Sequence, residues 1–114
     1  MDAEEMKRRT KEFSINIARL TQKLHDNQIN KPYKAQIIRS SSSVGANYRA
    51  SRRAKSKPDF INKLKIVEEE LDESLFFLEL LLEFNRPFET EINHLYNEGE
   101  TLLKIIVASI VSSR

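Results

Sequence analysis

Only two imidazoles occur in this 114-residue chain, His25 and His94, and each stands at a spacing that invites a chemical reading. Glu91 and His94 form a Glu-x-x-His pair. Helical bundles hold paired metal ions with such a pair from each of two helices and one further glutamate from each of the other two. The second pair is missing, because Gln22 stands three residues before His25, so no metal site is expected. A hydrolytic site built on Arg19 and His25 needs both side chains brought beside a phosphate, yet six residues of helix rotate them well apart. Ser40, Ser41, Ser42 and Ser43 have no nearby histidine and no G-x-S-x-G frame, which leaves helix packing as their role. No glycine-rich phosphate loop occurs. No catalytic residue, cofactor or small-molecule substrate is expected.

Two charged groupings remain. Arg39, Asn47, Glu70 and Glu73 are placed so that a guanidinium on one helix can take carboxylates on the next. Such a pair adds little net stability but fixes register and partner, and an internal polar network is expected there. The second grouping is the basic run Arg49, Arg52, Arg53, Lys55, Lys57, Lys63 and Lys65. It crosses a helix end, a loop and the start of the next helix, where free N–H groups favour a phosphate. Tyr48 and Phe60 are the only aromatics close by, so RNA or DNA bound here is held through its phosphates, in a salt-sensitive way.

Four helices must position these groups. Phe13, Ile17, Leu20 and Leu24 share one face of a helix over about 4–26. A second helix starts near Pro32, with Asn30 as its N-cap, and ends near Arg53. Its buried face is Ile37, Ser41, Val44 and Tyr48. Ser40, Ser43 and Gly45 thin the adjacent surface, so packing rather than propensity must hold it. Ser56, Pro58 and Asp59 predict the start of a third helix, close to a capping box. Its stripe is Phe60, Leu64, Val67, Leu71, Ser74, Leu78 and Leu81. Between Leu75 and Leu82 it is apolar on nearly every side, which predicts burial between subunits. Asn85, Arg86 and Pro87 break the chain before a fourth helix that ends at Ser112. Its face is Ile92, Leu95, Tyr96, Leu102, Leu103, Ile106 and Ile110, and Gly99 either weakens it or marks a close contact. Short connections between four helices predict an all-α, single-domain, antiparallel up-down-up-down bundle over residues 1–114.

Composition bounds the rest. Charged residues make up 32% of the chain, with two glycines and three prolines, which suits long amphipathic helices. The absence of cysteine excludes disulfides, thiolate metal sites and cysteine nucleophiles, and fits a reducing cytoplasm. No secretory leader and no membrane-spanning run is visible. Charge is unevenly laid out. Residues 34–65 hold nine bases and one acid, whereas residues 66–103 hold eleven acids and one base. That asymmetry suits charge matching between helices or subunits, or a polyanion on the basic half.

Gln36, Arg39, Ser40, Ser43, Ala46 and Asn47, then Ser56, Asp59, Phe60 and Lys63, then Glu70, Glu73, Ser74, Phe77, Leu78, Leu80 and Leu81 together resemble a family pattern. It reads Q-x-x-R-S-x-x-S-x-x-A-N-x-x-E-A, S-x-x-D-F-x-x-K and K-E-A-x-E-[ST]-x-x-W-L-x-L-L. The pattern is that of the four-helix-bundle proteins, also called 23S ribosomal RNA intervening-sequence proteins, and the resemblance covers the chain from Phe13 onward. Ala50 replaces the usual glutamate and Phe77 the usual tryptophan. The resemblance implies an antiparallel four-helix bundle assembled as a homopentamer, with no established enzymatic activity. A related branch, the accessory variability protein of diversity-generating retroelements, is basic, binds nucleic acid and partners a reverse transcriptase. The near-neutral net charge of +2 fits that branch less well. The Arg19–His25 spacing is similar to the motif of HEPN-type ribonucleases, though Leu20 stands where a polar residue is usual.

The expectation is therefore a non-enzymatic cytoplasmic homo-oligomer whose contacts come from the small-residue second helix and the apolar third. The alternatives are an RNA- or DNA-binding accessory protein that uses Arg49, Arg52, Arg53, Lys55, Lys57 and Lys63, and, third, a HEPN-like ribonuclease.

Overall fold

A computed structural model describes all 114 residues as four helices with no strand. They are α1 (Ala3–Lys23), α2 (Asn30–Ser51), α3 (Lys57–Phe84) and α4 (Glu89–Ser113), with one 3-10 turn at Arg86–Phe88. No helix is long and apolar enough to cross a membrane. Each helix packs on its neighbour in sequence, and α4 returns to α1. Residue numbers run in opposite senses across every seam. Asn30 meets Asn85 while Ser40 meets Ser74, and Lys23 meets Glu91 while Arg9 meets Glu98.

Local chemistry sets the helix ends. Asp2 caps α1, its carboxylate accepting from Glu5 N–H at 2.8 Å, and Glu4 and Glu5 complement the helix dipole. Ser56 caps α3 as its sequence predicts, accepting from Asp59 N–H at 3.2 Å. Asp59 departs from a capping box, because its carboxylate takes the N–H of Lys55 rather than that of the cap residue. α1 stops at Lys23, earlier than expected, where Leu24 turns extended. The ammonium of Lys34 reaches back to the Leu24 carbonyl and to Asp26.

The start of α2 corrects the reading of Asn30 as a cap. Asn27 does that work, accepting from the N–H of Ile29 and of Asn30. Asn30 is instead buried and faces the equally buried Asn85. Each side-chain amide donates to the other's oxygen, at 3.0 and 2.9 Å. The spare N–H groups go to the carbonyls of His25 and Leu81. This closed amide pair ties the α1–α2 connection to the end of α3.

One core runs the length of the bundle. The predicted faces of α1 and α2 are buried, as is the α3 stripe from Leu64 to Leu81; Phe60, Tyr96 and Leu103 are half-buried. Three small residues of α2, Ser40, Ser41 and Gly45, are buried within the protomer, whereas Ser42 and Ala46 are exposed. Ser40 and Ser74 share a 2.8 Å hydrogen bond between their hydroxyls, which also lie on the carbonyls of Ile37 and Glu70 of their own helices. A Cβ on Gly45 would lie 3.5 Å from the Thr10 carbonyl, so α1 rides directly on it. Gly99 is also a close contact, since a Cβ there would come within 2.8 Å of Leu75. No buried side-chain nitrogen or oxygen lacks a partner.

α3 is not apolar-buried all round within one protomer. Leu75, Leu78 and Leu81 are buried, Phe77, Leu80 and Leu82 are half-buried, and Phe76 and Phe84 are each 54% exposed.

Replacing Asn85 by Ala strands the buried Asn30 amide and should cost about 1–3 kcal/mol, the penalty of an unsatisfied buried polar group. Urea denaturation of Asn30→Ala, Asn85→Ala and the double variant should give a double loss well below the sum of the singles.

Candidate functional site

Three groups of polar side chains answer the sequence reading, and they occupy different parts of the bundle. The first lies across α2 and α3. Arg39 reaches Glu70 at 2.9 Å and also pairs with Glu73, and Gln36 takes a long contact from its Nε. This guanidinium bridging two carboxylates is the predicted pairing, but it lies at the surface. Arg39 is half exposed, whereas Glu70 is largely covered. Asn47 stands apart from it, bonding Ser43 O and Oγ within α2. The internal network therefore reduces to a surface clip of three residues. Screening limits what such an exposed pair contributes, to about 1 kcal/mol or less.

The second group gathers where α2 ends and α3 begins. Arg49, Arg52, Arg53, Lys55 and Lys57 are exposed, and none pairs with a carboxylate of this chain. Lys63 differs, since it is half-buried and pairs with Asp59 at 3.1 Å. The turn that groups them is short and tightly bonded, with Arg53 N–H on Ala50 O and Ala54 N–H on Ser51 O. The Arg52 guanidinium lies 5.7 Å from the centre of the Phe60 ring, a cation–π distance. Beside it a concavity of about 400 Å³ is lined by Arg52, Lys55, Ser56, Lys57 and Phe60. A second of about 250 Å³ lies among Lys7, Arg49 and Arg53. Five unpaired cations around a helix N-terminus form a surface suited to phosphate oxygens.

The third group is the α1–α4 seam. Glu91 there is held by Lys23 at 3.0 Å rather than poised with His94 for a metal, and no three acids or imidazoles cluster. Arg19 faces this seam together with His94, while His25 lies beyond the end of α1 and is exposed. The R-x5-H pair is thus not assembled on a common surface pocket. Arg9 and Glu98 bridge the same seam further along, at 2.5 and 3.1 Å, and the carboxylate raises the pKa of the guanidinium by hydrogen bonding. Neither bridge was visible in the sequence, because the partners are 68 and 89 residues apart. The aromatic group Tyr33, Phe77 and Phe84, with centroids 6.1 and 6.4 Å apart, was equally hidden.

Residues 3–108 match the sequence model of the 23S rRNA-intervening sequence protein family. Among solved structures, the chain is similar to a protein of unknown function from the S23 ribosomal protein family of Bacteroides thetaiotaomicron, at 32% identity and a TM-score of 0.87. The similarity covers 96% of this chain and 98% of that one. No curated protein matches.

Asp59 gives the basic surface a measurable handle. The Lys55 N–H, and after it the Lys63 ammonium, hold its carboxyl below the ordinary value of 3.8. A lowered folded-state pKa stabilises above the unfolded value and loses that contribution as pH falls through the folded one. Thermal melts taken from about pH 5 downward should therefore show an acid limb below about pH 4. The difference between wild type and Asp59→Asn should shrink along that limb. A difference independent of pH would show that the carboxylate charge is not what holds the turn.

Proposed function

This chain belongs to the 23S rRNA-intervening sequence protein family, and from that premise we propose that it has no catalytic activity of its own. It works as one protomer of a cytoplasmic homopentamer, an antiparallel up-down-up-down bundle repeated around a ring. The observation that carries the association is the aromatic face of α3. Phe76 and Phe84 are each 54% exposed, and they flank half-buried Phe77 and Tyr33. Scattered apolar side chains on a surface are ordinary, but contiguous aromatics mark a contact. Covering a phenylalanine fully is worth about 1.5–3 kcal/mol, so two half-covered rings repeated at every junction supply a substantial part of an interface. The ring number follows from the family pattern carried by residues 36–81.

The native mass tests this reading. Light scattering should return a mass near five times 13.3 kDa. Phe76→Glu combined with Phe84→Glu should return single protomers that keep their helical circular dichroism. A wild-type protein that stays at 13.3 kDa at all accessible concentrations would end the proposal.

The unpaired cations Arg49, Arg52, Arg53, Lys55 and Lys57 favour a second reading, an accessory protein for RNA or DNA. Binding of a random-sequence oligonucleotide should then weaken with salt, and removing any one of these cations should lower the log–log slope by about 0.7–0.9. Absence of binding in low salt would reject it.

A further inference from the structure

We propose that the α1–α4 seam is a binding site for a phosphate monoester, formed by Arg19, His94, Asn16 and Gln22 between the two ion pairs that bar its ends. The seam is the loosest of the four contacts between neighbouring helices. Arg9–Glu98 closes it at one end and Lys23–Glu91 at the other. About 21 Å of helix separates Arg9 from Lys23 at 1.5 Å per residue, and no side-chain hydrogen bond crosses from α1 to α4 in that interval. The interval instead contains a concavity of about 460 Å³, lined by Asn16, Arg19, Gln22, His94 and Leu95 beside the Lys23–Glu91 pair. A second of about 350 Å³ shares Asn16, His94 and Leu95, but it is also lined by Glu5, Glu12 and Glu98 with Arg8 and Arg9, so the anion is confined to the first.

The donors in this interval are free. Arg19 has no carboxylate partner, and the side chains of Asn16, Gln22 and His94 make no hydrogen bond within the chain. Lys23 and Glu91 cancel each other's charge, which leaves the guanidinium of Arg19 as the uncompensated charge of the pocket. Arginine presents parallel N–H groups that match two oxygens of a phosphate. The imidazole and the two side-chain amides offer further N–H donors for the third oxygen and for the ester body. Leu95 gives that body an apolar floor, and the concavity is larger than a free phosphate fills. A cation has little to bind in the first concavity, because Glu91, the one carboxylate of its lining, is already taken by Lys23.

Calorimetric titration of the full chain with inorganic phosphate, a nucleoside 5′-monophosphate and the corresponding nucleoside tests the site. The expected order is monophosphate tighter than inorganic phosphate, with no saturable binding of the nucleoside. Equal affinity for the first two would assign the site to free phosphate. Arg19→Gln, which removes the charge, and His94→Ala, which removes the donor, should each weaken binding about tenfold or more, the usual effect of removing a charge-assisted hydrogen bond. Both residues are exposed, so the fold should survive, and Lys104→Gln, on α4 and outside the pocket, should bind as the wild type does. Non-saturable binding, or binding that Arg52→Gln abolishes and Arg19→Gln leaves intact, would overturn the proposal. The assembly mass is unaffected by either result, so failure here is distinguishable from failure of the oligomer.

Discussion

Close approach of α2 to both of its neighbours is the constraint on which the bundle depends. α2 is a poor helix by propensity, with four serines and a glycine between Ser40 and Gly45. Serine and glycine cost about 0.5–1 kcal/mol each relative to alanine in a helix interior. What offsets that cost is tertiary. Ile37 and Val44 are fully buried, Ser40 bonds Ser74 on α3, and Ser14 on α1 donates to Ser41 O at 2.5 Å. The same thin surface lets the backbone of α1 lie on Gly45. Larger residues would part the helices and break these bonds together, so α2 is helical because it is packed, and it packs because it is thin.

That packing separates the molecule into ends with different chemistry. The closed Asn30–Asn85 pair and the aromatic group around Phe84 mark one end. The capped Ser56 turn with its cations marks the other. Between them three bases pair across neighbouring helices, Arg39 to α3 and Arg9 and Lys23 to α4. The carboxylates of residues 66–103 therefore meet three bases of α1 and α2, Arg9, Lys23 and Arg39, but they do not reach the five cations at the end of α2 and the start of α3. Distance explains this: α3 is 28 residues long, and after Asp59, which the Lys55 N–H and Lys63 take, its next acid is Glu68.

Periodicity made the core legible. A stripe such as Leu64, Val67, Leu71, Ser74, Leu78 needs only the helical repeat to be placed, and Ser56 needs only its neighbours to act as a cap. The Arg39 pairing with Glu70 and Glu73 was also readable, from charge on adjacent helices, but its depth was not, because depth depends on the rotation of two helices at once. Asn30 misled for a related reason. Asparagine before a helix is a common cap, and nothing within ten residues reveals a partner 55 residues away. Glu91 and His94 looked like half a metal site until Lys23 was seen to hold the glutamate.

The two ends bear on each other through symmetry. In a cyclic ring every copy points the same way along the axis. Where contact is made through the aromatic end of α3, the opposite ends, which carry Arg52, Lys55 and Lys57, are left uncovered, since about 40 Å of helix separates Phe84 from Lys57. The bundle is 44 Å long, so the two surfaces do not overlap. In the proposed ring, with the bundle axis along the ring axis, the basic ends of all copies would gather on one face. Phosphate contacts that are weak and salt-sensitive singly would then act at a high effective concentration on one polyanion. The near-neutral net charge of one chain is thus a poor guide to what the proposed assembly would attract, because five of its unpaired bases lie together at one end.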